Sequence, residues 1–386
     1  MCRFTSTISD HPRARPPMKL LDSSMVDDLQ APYGAGRRNG AVPGVEESSG
    51  VRRRWITGTI LAAALIAGCG APPQAAPPPE KELPPAAEPA PAPVPTAQPA
   101  GRTVPVGTAP EGVVADSQTH IVAVGVRDPA ALILLDANTG AVLRRVPLPG
   151  VLRHLQLAMP GGPVLVPDES SNRLLRVALP GGEVTSQVIT GVVPHDATQA
   201  ANGTVFVANE LGHSVVAVRG DQVVHTFTDV TQPAGVAAAG DLVGLLDVRE
   251  NTLTVYDAQR LQRVAELPAG AGPTHVVADK RGHLAVVDTR GNAVLLYALN
   301  PAPRQVGRVE VPGTPYGVAY DPVRDRLWVT LTALNEVIGL NLDPNAVVSA
   351  TPLPAVRQPN TIAVDSSTGR LFVTGTADGV LEIIEP

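Results

Sequence analysis

The sequence predicts an all-β chain closed into a seven-bladed β-propeller, with an N-terminal strand completing the last blade and a disordered tether in front. Three observations carry this: a proline-led segment that recurs about every forty residues, one internal order of four short strands in each unit, and complementary ends of the repeat array.

The proline-led segments stand at Pro110 (PEGVVAD), Pro194 (PHDATQA), Pro233 (PAGVAAA), Pro273 (PTHVVAD), Pro315 (PYGVAYD) and Pro359 (PNTIAVD), with spacings of 84, 39, 40, 42 and 44 residues. The first gap is double the others, and Leu152 (LRHLQLA) stands at its midpoint with the same pattern but no proline. Seven units of about 42 residues follow. Within a unit a polar turn leads to a second strand, as in TVFVANE, HLAVVDT, RLWVTLT and RLFVTGT. An Asn- or Gly-containing turn leads to a third, and a fourth ends in a Pro/Gly corner such as GRVEVPG. Strands this short, bounded by turn residues, form propeller blades, and no helical period competes with them.

The ends argue for closure. The seventh unit stops after its third strand, GVLEIIE, whereas Gly101 to Gly107 precede the first unit with a fourth-strand pattern. Pairing the two removes two open sheet edges, which a solenoid would have to cap instead. Aspartates that end innermost strands, at Asp116, Asp279, Asp321 and Asp365, are expected to cap their own turns. His120, His213, His225 and His283 fall in turns or strand ends and are expected to be exposed.

These repeats resemble the YVTN-type, or YncE-like, propellers of bacterial and archaeal surface proteins. RLWVT and RLFVT stand in the place of that family's Tyr-Val-Thr-Asn strand, and the following Asn is kept at Asn209 but missing from the sixth and seventh units. The resemblance covers about 285 residues and implies the fold more than any one ligand.

In front of the propeller, Arg52, Arg53 and Arg54 precede the apolar run Trp55 to Ile66, followed by Ile66-Ala67-Gly68-Cys69. About twelve apolar residues are too few to cross ~30 Å of hydrocarbon, so residues 51–68 read as a signal peptide. The segment resembles a bacterial lipobox, which implies cleavage before Cys69, acylation of that residue, and a protein held by lipid at the extracytoplasmic face of the cell membrane. Sec export is the default expectation, since the arginines fit a twin-arginine pattern only weakly. Residues 1–50 have no apolar period and are expected to be an upstream extension, with translation starting at Val51. From Ala71 to Ala100, twelve prolines among mostly Ala and Glu predict an extended, polyproline-biased tether, so that residues 69–100 comprise the lipidated Cys and its linker. The folded domain is expected over 101–386.

Charge and cysteine usage narrow the function. Nine Lys+Arg and six Asp+Glu precede Cys69, leaving 21 against 30, a net −9, for the rest. No basic stripe is present for nucleic acid. Both cysteines, Cys2 and Cys69, lie outside the folded part, which excludes disulfides and Cys-based zinc sites there. The folded part has a single tryptophan, Trp328, too few for a quinone-docking propeller, and carries no nucleophile elbow, His-Glu-x-x-His or phosphate loop.

A ligand site is expected at the channel mouth, on the two residues after each repeat proline: Glu111-Gly112, Arg153-His154, His195-Asp196, Ala234-Gly235, Thr274-His275, Tyr316-Gly317 and Asn360-Thr361. Strand alternation lets one of each pair face the channel fully. The binding candidates are therefore Glu111, Arg153, His154, His195, Asp196, His275, Tyr316 and Asn360. A divalent metal, if bound, is expected on His154, His195, Asp196 and Glu111, with His275 almost opposite in the ring and out of reach. That arrangement resembles metal-dependent propeller lactonases and streptogramin lyases, though none of their local motifs is found. Solvated channel residues without chemistry are the competing expectation.

The leading function is a monomeric binding or scaffolding module presenting its loops to an envelope protein, a glycan or a small ligand. A lactonase- or lyase-like hydrolase and an inert envelope component are the alternatives.

Overall fold

A computed structural model of the 386-residue chain describes residues 84–342 and 352–386. The expected upstream extension, signal peptide, Cys69 and the first part of the tether lie outside the described residues. The described residues form seven four-stranded antiparallel sheets arranged as the blades of a propeller. One turn of 3-10 helix, Glu210–Gly212, is the sole helix among them.

Blades 1 to 6 are each built from one sequence unit, with the innermost strand first and the outermost last. Blade 7 takes its inner three strands, Pro359–Val364, Leu371–Gly375 and Val380–Ile384, from the C-terminal unit. Its outermost strand is Arg102–Pro105, paired in the register Arg102↔Ile383 to Pro105↔Val380. The expected closure is therefore the observed one. Glu382, fully buried in this blade, fastens it: Gly101 N donates to Oε1 at 2.8 Å, and Val356 N, from the end of blade 6, donates to Oε2 at 2.9 Å.

Seven apolar clusters fill the seven gaps between neighbouring blades. Because second and third strands are covered on both faces, they read as nearly unbroken apolar runs, as in Ala131 to Leu135. Outermost strands face solvent, as in Val142–Pro147, where Val146 alone is buried. The turn aspartates behave as expected. Asp116 accepts from Thr119 N and Gly161 N, Asp279 from Arg281 N and His283 N, Asp321 from Val323 N and Arg324 N, and Asp365 from Ser367 N.

One irregularity sets the geometry of the mouth. In blades 3 to 7 the register of the innermost strand shifts just after the repeat proline, between Pro194 and Asp196, Pro233 and Val236, Pro273 and His275, Pro315 and Val318, and Pro359 and Ile362. Such a bulge interrupts side-chain alternation and re-aims the residues inside it. The proline ahead of it lacks an N–H to offer the ladder, which suits it to the start of a strand.

The expected tether stops short of being free. Residues 84–100 contain no helix or strand, as predicted, but residues 84–93 lie across the channel mouth as a strap. Six hydrogen bonds hold its main chain. Arg249 Nη1 donates to Pro84 O and Arg290 Nη2 to Pro85 O, at 3.0 and 2.7 Å. Ala90 N donates to Thr332 Oγ1 at 3.1 Å, and Asn335 Nδ2 donates to Pro93 O at 2.9 Å. Gln358 reads the strap with both ends of its amide, accepting from Ala92 N at 2.8 Å and donating to Ala90 O at 3.0 Å. Ala92 is the buried anchor of the segment.

Candidate functional site

The paired residues after each proline form two tiers. The first members, Glu111, Arg153, His195, Tyr316 and Asn360 among them, line small cavities beneath the strap. The second members, His154, Asp196, His275 and Thr361 with Gly112 and Gly317, form a collar at one end of a channel of about 340 Å³. The expectation that one of each pair faces the channel while the other turns away is corrected: both tiers line the axis, through the bulges in blades 3 to 7 and because the pairs of blades 1 and 2 lie ahead of the inner strands Val113–Asp116 and Gln156–Leu157.

Glycine at the collar has a steric cause. A Cβ on Gly317 would lie 2.5 Å from Asn360 O, and one on Gly235 would lie 3.0 Å from Thr274 O, both on the adjacent inner strand. These glycines let neighbouring inner strands approach closely around the axis. His154 packs with tilted rings against His195 at 4.5 Å and against His275 at 4.8 Å between ring centroids, and His275 meets Tyr316 edge-on at 4.5 Å. The expectation that His275 lies out of reach of His154 is therefore corrected: their side chains meet across the axis although they belong to blades 2 and 5.

The charged part of the mouth is centred on His195. Its Nδ1 lies 3.1 Å from Glu210 Oε2 and 3.4 Å from Glu169 Oε1, but is aimed at neither well enough for a hydrogen bond. Arg153 Nε lies 3.4 Å from the same Glu169 oxygen. Burial opposes charge on His195, yet the two carboxylates outweigh it and raise its pKa to about 9. Burial likewise opposes charge on Glu210, and His195 outweighs it, holding that carboxyl near 2. His275 is the opposite case, its pKa lowered to about 3 by burial and then by repulsion from His195. His154 moves well down for the same reasons, burial first. Burial also pushes Tyr316 up.

The expected metal set does not converge. Asp196 points into the collar, where it accepts from Val236 N, Ala197 N and Gln156 Nε2 at 2.8–3.1 Å. Burial raises its pKa to about 6. Glu111 is engaged by Arg127 at 2.8 Å, and Asn360 accepts from Gln358 Nε2. Of that set only His195 joins a group with the spacing of metal ligands, and its companions are Glu169 and Glu210. Both were outside the sequence candidates. A signal was present: each follows a residue that pins a loop at the mouth, Asp168 in VPDE and Asn209 in VANE, at equivalent places in blades 2 and 3. The equivalent places in blades 5, 6 and 7 hold Thr289, Thr332 and Thr376, whose hydroxyls donate to main-chain carbonyls.

The strap leaves this cluster accessible from one side. A groove of about 390 Å³ borders it, lined by Arg153, Glu169, Glu210, Val193 and Leu211, with Glu88 of the strap on its rim. Burial raises the Glu88 carboxyl, and attraction to Arg153 only partly opposes that.

Fold and mouth together define a seven-bladed β-propeller with a polar, partly covered axial site. No protein-family model matches the sequence, and no curated protein does. Solved propellers are similar in fold. Virginiamycin B lyase from Staphylococcus aureus superposes with a TM-score of 0.61 at 14% identity, over 73% of this chain and 98% of that one. The Myceliophteria thermophila Cps50 (Swd1) propeller domain gives 0.64 at 13% identity, over 74% and 98%. A chain of the mitotic checkpoint complex gives 0.64 at 11% identity, over 84% and 99%. Likeness at these identities shows the fold alone, and that fold serves a lyase as well as protein assemblies.

Proposed function

We propose that this chain is a lipid-anchored, extracytoplasmic propeller of the YVTN, YncE-like kind, and that it acts as a binding module taking an extended protein segment across its mouth. One observation carries the reading: the six hydrogen bonds to residues 84–93 all go to main chain, a mode suited to extended, proline-rich partners. In the resting protein the tether occupies this site, and an envelope protein presenting a similar segment displaces it. The lipobox-like residues before Cys69 support the anchor, and the net −9 after Cys69 disfavours nucleic acid as the ligand.

The test replaces residues 84–93 with a Gly/Ser segment of equal length and measures anisotropy of a fluorescent peptide of sequence PPAAEPAPAP. The peptide should bind the replaced chain at least about tenfold more tightly than the unaltered one, because the resident segment competes at millimolar effective concentration. Gln358→Ala in the replaced chain should weaken it again. A folded replaced chain that ignores the peptide overturns the reading. Loss of acyl incorporation on Cys69→Ser tests the anchor separately.

A metal-dependent hydrolase or lyase acting on small molecules is the second reading, favoured by the Glu169, His195 and Glu210 cluster beside an open groove.

A further inference from the structure

We propose that Glu169, His195 and Glu210 bind a divalent transition-metal ion of the zinc type, reached through the groove beside the strap. This goes beyond the peptide-binding reading and does not depend on it.

The geometry comes first. Metal bonds of about 2.0–2.2 Å at tetrahedral angles put neighbouring donor atoms about 3.3–3.6 Å apart. His195 Nδ1 lies 3.1 and 3.4 Å from the two carboxylate oxygens, and one donor atom from each residue lies within 4.8 Å of the others. Both carboxylates border the groove.

The second observation concerns what these atoms do without an ion. His195 is 7% exposed and Glu169 is 9% exposed, yet His195 Nδ1 and Glu169 Oε1 are both shut off from solvent without a hydrogen-bond partner. Buried polar atoms in this condition are costly unless something satisfies them. A cation between Nδ1 and the two oxygens would satisfy both at once.

Charge and donor chemistry then select the ion. Arg153 faces the Glu169 carboxylate and the His195 ring faces Glu210, so a divalent ion enters by displacing the proton from His195 Nδ1 and takes over its place between the two carboxylates. Calcium would ask for six or more oxygens, and magnesium prefers a mostly aqueous shell. One imidazole nitrogen with two carboxylates suits Zn²⁺, with Co²⁺ as its spectroscopic stand-in. Three protein donors leave a fourth position for water or a ligand, and the groove provides the entry path.

The experiment uses the full chain, untagged, carrying Cys2→Ser and Cys69→Ser so that no thiol competes. Calorimetric titration with Zn²⁺ should give one equivalent per chain, and Co²⁺ should give the intense visible bands of a four-coordinate ion. Glu210→Gln and Glu169→Gln should each weaken Zn²⁺ at least tenfold and remove the bands, while the paired control Glu183→Gln with Glu385→Gln, two exposed carboxylates outside the mouth, leaves both unchanged. Melting curves in chelator establish that each variant is folded, and the upward shift in melting temperature caused by Zn²⁺ should vanish in the two ligand variants alone. Binding that survives Glu210→Gln, or that the control pair removes, overturns the proposal, as does a folded chain that takes up no zinc. Repeating the titration on the Gly/Ser-replaced chain separates the two ideas, since the metal should bind whether or not that chain captures the peptide.

Discussion

Glu382→Ala probes the closure of the ring at one point. The wild-type carboxylate accepts from Gly101 N, at the start of the closing strand, and from Val356 N, at the end of blade 6, so one side chain ties three segments together. Removing it leaves the buried Val356 N–H without a partner, at a cost of about 1–3 kcal/mol. Gly101 is partly exposed and recovers water, so its loss is smaller, about 0.5–1 kcal/mol. Relief of the buried charge works in the other direction, since burial raises the pKa of Glu382 despite both hydrogen bonds. The expected net loss is about 2–3 kcal/mol, or roughly 3–5 °C in melting temperature for a domain of this size. Urea unfolding at pH 7 can be followed by Trp328, which is buried in the same cluster as Val356 and Ile384, with Trp55→Phe removing the other tryptophan. Glu385→Ala is the control: its carboxylate is mostly exposed and meets Arg370 at 2.6 Å, so about 0.5 kcal/mol or less is expected. A Glu382→Ala protein within that same margin of wild type would refute the latch.

Two further outcomes follow from the collar. Gly317→Ala should lower stability by about 1–3 kcal/mol, because its Cβ would meet Asn360 O at 2.5 Å and Thr361 Cα at 2.9 Å, both main-chain atoms that can yield only by moving blade 7; an unchanged thermal midpoint would count against the close approach. His275 has a folded pKa of about 3 against an ordinary 6.5, so the unfolded chain binds the extra proton between those values. Its stabilising contribution is complete above pH 6.5 and is lost as pH falls towards 3, at up to about 1.4 kcal/mol per pH unit. His275→Leu should flatten the acid limb of stability against pH by that slope, and an unaltered limb would show that His275 is not buried neutral.

The blade count, the closing strand and the aspartate turns were legible because each rests on a local pattern: apolar runs of strand length, turn residues between them, and a fourth-strand pattern stranded at Gly101 to Gly107. The mouth positions were legible for the same reason, through the repeat proline. Which side chains meet there was not. Glu169 and Glu210 come from loops between second and third strands; strand pairing within blade 3 brings Glu210 to His195, while Glu169 arrives from the neighbouring blade 2. His275 reaches His154 from a bulged innermost strand, an effect that a two-residue alternation cannot anticipate. The strap was legible as an extended chain from its composition, but not as a bound one. Its partners, Gln358, Asn335 and Thr332, grip main chain and so impose no pattern on the sequence they hold.

The pairing of Arg102–Pro105 with Val380–Ile384 also orders events in time. The first strand of the propeller to leave the ribosome is the one whose partner is made last. Until that partner arrives, every partial product has an unpaired strand at each end, and open edges of this kind recruit other chains. A chain shortened at its C-terminus is therefore expected to aggregate rather than to form a smaller ring, and closing the ring waits on a contact that spans nearly the whole domain, the kind that folds slowly.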